Sequence, residues 1–424
     1  MISLLDKIFF RKNNLENISE KIKDLSNTSQ LKKLFDLINS YSETSEIRLV
    51  GGCIRKILSD EEVDDIDLAT NLEPGEVSEV LKNNQIDYYE TGIKHGTITA
   101  IINDKKFEIT SLREDVFTDG RHAQVKFSKD WSKDASRRDF TINSIYSDRE
   151  GNIFDPFNGK EDLEKGYINF IGDGDKRIKE DYLRILRYLR FFLFYSKQKH
   201  DPETLKIIKK NIQGISVLSK ERLLDELKKI IKFDNLIKIS KDKQTLDLLR
   251  IIFPELKYFY VFSKISSYAQ NFFKKIDFPF LLSTLIIDDT DNVDYFLYKY
   301  NLSKKDQTRI KNISNFYKDH RHLKEFSEKN FNKTFYYNGK QAVLDILIFY
   351  LFRSKKSHQD ISNLIKLYKL KDIPLMPIKA ELLMTKYKVR EGKNLGIKLK
   401  LIEKEWVENN FKISSQQLEN IINN

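Results

Sequence analysis

The segment from residue 47 to residue 67 constrains the fold more than any other. It contains Leu49-Val50-Gly51-Gly52-Cys53-Ile54-Arg55, and then Asp65-Ile66-Asp67. In a strand, side chains alternate faces, so Asp65 and Asp67 point one way and Ile66 points into a core. Two carboxylates on one face can hold one or two Mg²⁺ ions, which prefer oxygen ligands shared with substrate phosphates. Gly51 and Gly52 let the backbone approach a triphosphate where a Cβ would clash. Arg55, about one helical turn later, meets phosphate oxygens with its fork of donors. Together these residues describe a site for a metal-bound nucleoside triphosphate. Taken alone, Asp-x-Asp is most often a pair of solvated loop acids; the Gly-Gly upstream makes the metal-binding reading as good as that one.

The surrounding pattern predicts an α+β head with a small mixed sheet, followed by an all-α C-terminal region. Residues 1 to about 45 read as helical, with Leu31, Leu34, Phe35 and Ile38 on one face. Strands are predicted at Ile47 to Val50, Ile66 to Leu68, Thr97 to Ile102 and Lys106 to Thr110. Turns at Asn103-Asp104 and Asp119-Gly120 separate strands, and Pro74 opens a helix to Lys82. After Gly159 amphipathic helices dominate, among them Lys179 to Tyr195, Asp201 to Asn211, Lys220 to Ile231, Ser240 to Ile252, Gln341 to Phe352 and Asp360 to Tyr368. The expected division is a head over 1–150, a helical neck over 151–235, a helical body over 236–350 and a basic helical tail over 351–424.

The single cysteine, Cys53, excludes an internal disulfide and any multi-cysteine zinc site, and it reads as a small packed residue beside the glycines. The N-terminal stretch, broken by Asp6 and Lys7, lacks a signal-peptide pattern, and the longest apolar runs are too short to span a bilayer. A cytoplasmic protein without membrane association is expected, and the sequence leaves its oligomeric state open. The net charge of +11 suggests a polyanionic partner. The excess is concentrated at the end, where residues 351–424 carry 15 lysines and arginines against 8 acids. That is either a solvated lysine-rich surface or a tail that lies along nucleic-acid phosphates.

Three further groups carry chemistry. Glu108 alternates with Phe107 and Ile109, so it faces away from them, onto the same surface as Asp65 and Asp67 if the strands are neighbours. There it could accept a proton or complete metal coordination. In Arg137-Arg138-Asp139-Phe140-Thr141-Ile142-Asn143-Ser144, adjacent arginines demand an anion or carboxylates; a salt-bridged helix start is the plainer reading. In the segment from Glu180 to Arg190, Asp181, Arg184, Arg187 and Arg190 recur every three residues as one polar ridge on a helix. The ridge is either a set of surface ion pairs or an edge that reads bases and phosphates, since Asp accepts from an exocyclic amine and Arg donates in fork geometry.

These motifs, with Asp155-Pro156-Phe157-x-Gly159 and Glu221-Arg222 through Glu226-Leu227, resemble in order those of the class II tRNA nucleotidyltransferases. That family comprises the bacterial CCA-adding enzymes and the related bacterial poly(A) polymerases. The resemblance covers roughly residues 47 to 230. It implies a Mg²⁺-dependent nucleotidyltransferase that adds CCA to tRNA 3′ ends from CTP and ATP without a nucleic-acid template and releases pyrophosphate. Asp65 and Asp67 would bind the metal, with Glu108 as a third catalytic carboxylate. Gly51, Gly52 and Arg55 would contact the incoming nucleotide, Arg138 its triphosphate and Asp139 its ribose hydroxyl, with Asn143 in the same nucleotide-binding group. Asp181 and Arg184 would pair with the base edge, supported by Arg187 and Arg190. The segment Asp115 to Val125 looks like the family's flexible loop, and the C-terminus would clamp the acceptor and TΨC arms of tRNA. The family usually has an acid where Lys56 stands, a proline where Gly174 stands and an arginine near Asn169. Poly(A) addition, partial CC or A addition and a non-catalytic RNA-binding protein remain alternatives. So does a phosphohydrolase, because His200-Asp201 spells an HD pair; a helix start before Pro202 is the plainer reading.

Overall fold

The computed structural model describes residues 17–118, 123–270, 272, 276–320, 326–353 and 358–423. The chain divides into two compact units, Met1–Glu226 and Leu227–Asn424. The expected cuts at 235 and 350 fall inside helices (Phe233–Lys241 and Glu328–Arg353).

Nine strands are described in the first unit: β1 (Ile47–Val50), β2 (Asp67–Thr70), β3 (Asp87–Gly92), β4 (Thr97–Ile102), β5 (Lys105–Ser111), β6 (Arg113–Thr118), β7 (Ala123–Phe127), β8 (Tyr146–Ser147) and β9 (Ile153–Phe154). Seven form one mixed sheet in the order β3-β4-β5-β2-β1-β8-β9. Within it β2 and β5 run parallel, with Asp67 opposite Glu108 and Leu68 opposite Ile109. Helices α1 (Ser29–Asn39), α2 (Gly52–Leu58) and α3 (Pro74–Asn83) cover one face. Their buried residues, including Leu34, Phe35, Ile54 and Leu81, pack with Ile47, Leu49, Leu68, Phe107 and Ile109 from the sheet. Val50 and Ala69 point to the other face and pack with Leu112, Ala135 and Tyr146. Period-2 alternation therefore places Asp67 and Glu108 on the face opposite the helix-covered core.

Five more helices follow in this unit: α4 (Trp131–Ser136), α5 (Gly159–Lys165), α6 (Gly174–Glu180), α7 (Leu183–Tyr195) and α8 (Pro202–Asn211). They are followed by α9 (Lys220–Ile230). The Asp155 carboxylate holds the start of α5, accepting from Gly159 N at 2.8 Å and Lys160 N at 2.9 Å. A Cβ on Gly159 would fall 2.0 Å from the Thr141 carbonyl oxygen. This close approach ties α5 to the segment that carries Asp139 and Asn143.

The structure departs from the sequence reading at four places. Strand β2 begins at Asp67, so Asp65 and Ile66 lie in the preceding loop, although Ile66 still packs on the core. The helix expected from Lys179 to Tyr195 is two helices. Asp181 breaks it with φ −155° and ψ 106°, and its carboxylate accepts from Leu183 N at 3.1 Å, a local bond that competes with helix continuation. The polar ridge therefore does not run unbroken from Asp181. A similar break splits Ser240 to Ile252, where the Asp242 side chain accepts from Gln244 N and Thr245 N. The expected flexible loop is, where described, an antiparallel ribbon of β6 and β7; its residues Asp119-Gly120-Arg121 lie outside the described residues, as does the N-terminal stretch before residue 17.

The described part of the second unit is helical. Its longest helix, Glu328–Arg353, is interrupted at Gly339, where φ is 83°. Near the end, Leu383, Leu395, Ile402 and Leu418 form a small core of their own. Among the described residues, no helix is long and apolar enough to cross a membrane.

Gly159→Ala should lower the stability of the first unit by about 1–3 kcal/mol, because the Thr141 carbonyl is backbone and cannot swing aside. Urea unfolding followed by circular dichroism measures it, and an unchanged midpoint would show that the approach is not as tight as described.

Candidate active site

The strand-turn-helix at residues 47–58 sets the site. Gly51 has φ +68°, and its N–H donates to the Ile145 carbonyl at 3.1 Å. A side chain there would be strained and would also meet Arg138 Nη1 at 3.4 Å. A Cβ on Gly52 would lie 3.6 Å from Asp67 Oδ2, so this glycine leaves open the space in front of the carboxylate. Cys53 is buried beneath, with its thiol pushed up to about 11 by burial and by the Asp67 carboxylate, and it serves as a packing residue.

Asp67 is the electrostatic centre. Burial pushes its carboxyl above the ordinary range, Glu108 and Asp65 push it further, and Arg138 and Arg55 pull it back. Asp65 and Glu108 are thus each within electrostatic reach of Asp67, as are Arg138 and Arg55. Among the described residues no group of three or more acidic, His or Cys side chains converges closely enough to hold an ion. A cation bound here would have to draw most of its ligands from phosphate oxygens and water, as hard ions can.

Beside this cluster runs a buried polar chain. Arg55 is 8% exposed; its Nη1 donates to Asn143 Oδ1, and its guanidinium lies 4.7 Å from the Phe191 ring centre and 5.1 Å from that of Tyr195. Asn143 Nδ2 donates in turn to Asp139 Oδ1 at 2.8 Å, and Asp139 Oδ2 accepts from Arg187 at 2.5 Å. Burial would push the Asp139 carboxyl up, but Arg187, Asn143 and Arg184 outweigh it and hold it at about 2. Both ends of the Asn143 amide are therefore taken by protein, and so are both Asp139 oxygens. Arg55 Nε is buried with no hydrogen-bond partner among the described residues.

The paired arginines share one buried acid that sequence reading missed. Asp134, on α4, is 1% exposed and accepts from Arg137 Nη2 at 2.7 Å, from Arg138 Nη2 at 3.2 Å and from the Tyr146 hydroxyl at 2.6 Å. Burial opposes its ionisation, but Arg138, Arg137 and Tyr146 prevail and hold it at about 2. A detectable signal was present: Asp134 stands three and four residues before the arginines, at helical spacing. Arg138 retains a partly exposed edge towards Gly51.

At the start of α7, the predicted base-reading pair is held by protein partners. Asp181 Oδ2 accepts from Arg222 Nη2 at 2.7 Å, and Arg184 Nη1 donates to the Arg177 carbonyl at 2.7 Å and to Glu180. Arg190 pairs with Glu226. The ridge thus resolves into separate ion pairs with different acids. Arg222 and Glu226, both on α9, give the motif at 221–227 a concrete role as partners of Asp181 and Arg190. His200 stacks on Phe192 at 3.5 Å and meets the Tyr188 hydroxyl at 3.0 Å, while Asp201 caps α8 through Thr204 N at 2.7 Å. The HD pair is a packed ring followed by a helix cap.

Residues 47–169 match the family described as Poly A polymerase head domain, and residues 199–260 match the one described as Probable RNA and SrmB- binding site of polymerase A. The chain is 32% identical over 404 residues to the mouse CCA tRNA nucleotidyltransferase 1, mitochondrial, spanning 92% of this chain and 89% of that protein. The chain belongs to the CCA tRNA nucleotidyltransferase family. Its human relative of the same name is 47% identical over 207 residues, a match that spans 48% of this chain and about half, 47%, of that protein. Among solved structures, the Bacillus stearothermophilus CCA-adding enzyme in complex with CTP has the same fold. Its TM-score is 0.66 at 20% identity, over 90% of this chain and 94% of that one. Membership of this family accounts for the mixed-sheet head and for the run of helices that follows it.

The depressed Asp134 carboxyl contributes stability that is fully present above its unfolded value of 3.8 and is lost as pH falls through about 2. That shift corresponds to about 2 kcal/mol. Stability measured by urea unfolding should fall between pH 4 and 2, and Asp134→Asn should both flatten that loss and cost about 3–5 kcal/mol at neutral pH by leaving Arg137 and Arg138 uncompensated. An unaltered acid limb in the variant would remove Asp134 from that role.

Proposed function

We propose that this chain adds C, C and A to the 3′ end of tRNA, using CTP and ATP and releasing pyrophosphate. The observation that carries the reading is the carboxylate of Asp67, open towards the side-chain-free Gly52, with Glu108 opposite on the parallel strand. Similarity to a CCA tRNA nucleotidyltransferase over nearly the whole chain favours CCA addition above poly(A) addition.

In this proposal Asp65 and Asp67 hold Mg²⁺. When bound, the ion lowers the pKa of the attacking 3′-hydroxyl and offsets charge on the triphosphate. Gly51 and Gly52 admit the triphosphate to the carboxylates. Arg138, fixed from behind by Asp134 and Tyr146, turns towards the phosphates its Nη1 edge, which donates at 3.4 Å to the Asn143 carbonyl, so its orientation is set before the nucleotide arrives. In this reading Glu108, opposite Asp67 on the parallel strand, adds negative charge beside it and takes the hydroxyl proton. Asp181 and Arg184 offer an acceptor and a fork donor to the base by sharing or exchanging their present partners, Leu183 N and Arg222 for Asp181 and Glu180 and the Arg177 carbonyl for Arg184; the pair fits the exocyclic amine common to cytosine and adenine. Arg187 and Arg190 support that end through Asp139 and Glu226. Because Asn143 and Asp139 are fully committed to protein partners, we assign them to orienting Arg55 and Arg187, with contact to the ribose requiring exchange of a partner.

The proposal divides the chain into a catalytic head (1–150), a templating neck (151–235), a body (236–350) and a basic tail (351–424) lying along the acceptor and TΨC arms of tRNA by shape and phosphate contacts. We place the reaction in the cytoplasm.

Labelled CTP and ATP should be incorporated into a tRNA lacking its last three nucleotides, with Mg²⁺, and addition should stop after three. Asp65→Ala should abolish incorporation. Long A tails on varied RNAs would identify a poly(A) polymerase, CC or A alone a partial enzyme, and no signal above the Asp65→Ala background would sink the catalytic reading.

A further inference from the structure

We infer that Lys56 is a positioning residue for the metal-binding acids, and that it acts through Asp64. The inference rests on the metal role proposed for Asp65 and Asp67. The connection between α2 and β2 is unusually acidic, with Asp60, Glu61, Glu62, Asp64, Asp65 and Asp67 in close succession. Residues 61–66 have no regular secondary structure. Like charges this close repel one another, and without fastening the loop would spread.

The structure supplies the fastenings. Lys21 Nζ meets Asp60 Oδ1 at 2.6 Å, and Glu61 N donates to the Lys56 carbonyl at 2.9 Å. The Lys56 ammonium donates to Asp64 Oδ1, and the same oxygen accepts from Asp65 N at 2.9 Å. One carboxylate oxygen thus joins the side chain of α2 to the backbone of the first metal-binding acid. The helix is itself anchored one residue earlier, where Arg55 reaches Asn143. The position of Asp65 is therefore set from α2 on one side and from the start of β2 on the other.

An acid at position 56 would face Asp64 with a like charge. Lysine at 56 and aspartate at 64 form a matched pair in this chain. The pair is partly exposed, Lys56 at 23% and Asp64 at 70% of their side chains, so its contribution to global stability is small. Its effect lies in where Asp65 sits, and cation binding reports that directly.

The test is Mn²⁺ binding to the full chain without nucleotide, read by electron paramagnetic resonance, together with the Mg²⁺ dependence of CTP incorporation. Lys56→Met and Asp64→Asn should each weaken Mn²⁺ binding and raise the Mg²⁺ needed for half-maximal rate, by roughly tenfold, the scale of lost support behind a metal ligand. At saturating Mg²⁺ the KM for CTP should stay near that of the parent. Lys56→Arg should restore cation affinity. The double variant Lys56→Met with Asp64→Asn should be no worse than either single change, since both break one link. Asp64 is exposed enough that its variant will fold. Parental Mn²⁺ affinity in Lys56→Met and Asp64→Asn, or independent multiplying effects in the double variant, would overturn the inference. A parent that binds Mn²⁺ through this pair yet incorporates no nucleotide would overturn the proposed reaction and leave this inference standing.

Discussion

Two buried carboxylates, Asp134 and Asp139, hold the polar site of the first unit together. They stand on either side of Arg137-Arg138, and each collects arginines that would otherwise be buried without a counter-charge. Asp134 takes both members of that pair, and Asp139 takes Arg187 from α7. Burying an ion pair yields little net stability, but removing one partner of it is costly. The pairs therefore act mainly by fixing geometry. Because Asp139 also accepts from Asn143, which accepts from Arg55, the fixation extends without a gap from α2 to α7.

A consequence is that the proposed nucleotide-binding arginines are already engaged before any ligand arrives. Arg184 is held by Glu180, Arg187 by Asp139 and Arg190 by Glu226, while Asp181 is held by Arg222. A base docking at this end shares or exchanges existing hydrogen bonds and does not have to order free side chains. Long, flexible side chains lose substantial rotamer freedom when they are fixed, so meeting that entropy cost in folding favours preorganised recognition. The aromatic packing works in the same direction: Phe191 lies against Arg55, Arg187 and Arg190 at 4.7, 5.5 and 4.2 Å, and restricts all three guanidinium planes.

Much of this was legible in the sequence because it depends on short-range periodicity. Alternation alone put Glu108 opposite its apolar neighbours, and the parallel register then set it beside Asp67. The double glycine, the capped start of α3 and the buried stripe of α1 are likewise local signals. What escaped was set by partners distant in sequence or by competing local bonds. The single acid beneath both arginines, Asp134, has helical spacing from them, but its burial depends on Tyr146, twelve residues away. The break at Asp181 was hidden because its three-residue recurrence with the arginines imitates a helix, whereas its carboxylate captures the Leu183 amide and stops the turn. The division at Glu226 and Leu227 lies within a continuous helix, α9, where composition gives no boundary signal.

Helix α2 is where these constraints meet, and its shortness matters. Successive side chains on a helix diverge by about 100°. In seven residues α2 offers Gly52 to Asp67, Arg55 to Asn143 and the α7 aromatics, and Lys56 to Asp64. A shift of α2 as a rigid body would move the opening in front of the carboxylates, the end of the buried polar chain and the loop that bears Asp65 in one step. The helix proposed to read the base and the acids proposed to bind the metal touch α2 through different residues. Geometry at one therefore bears on geometry at the other through a single packed element.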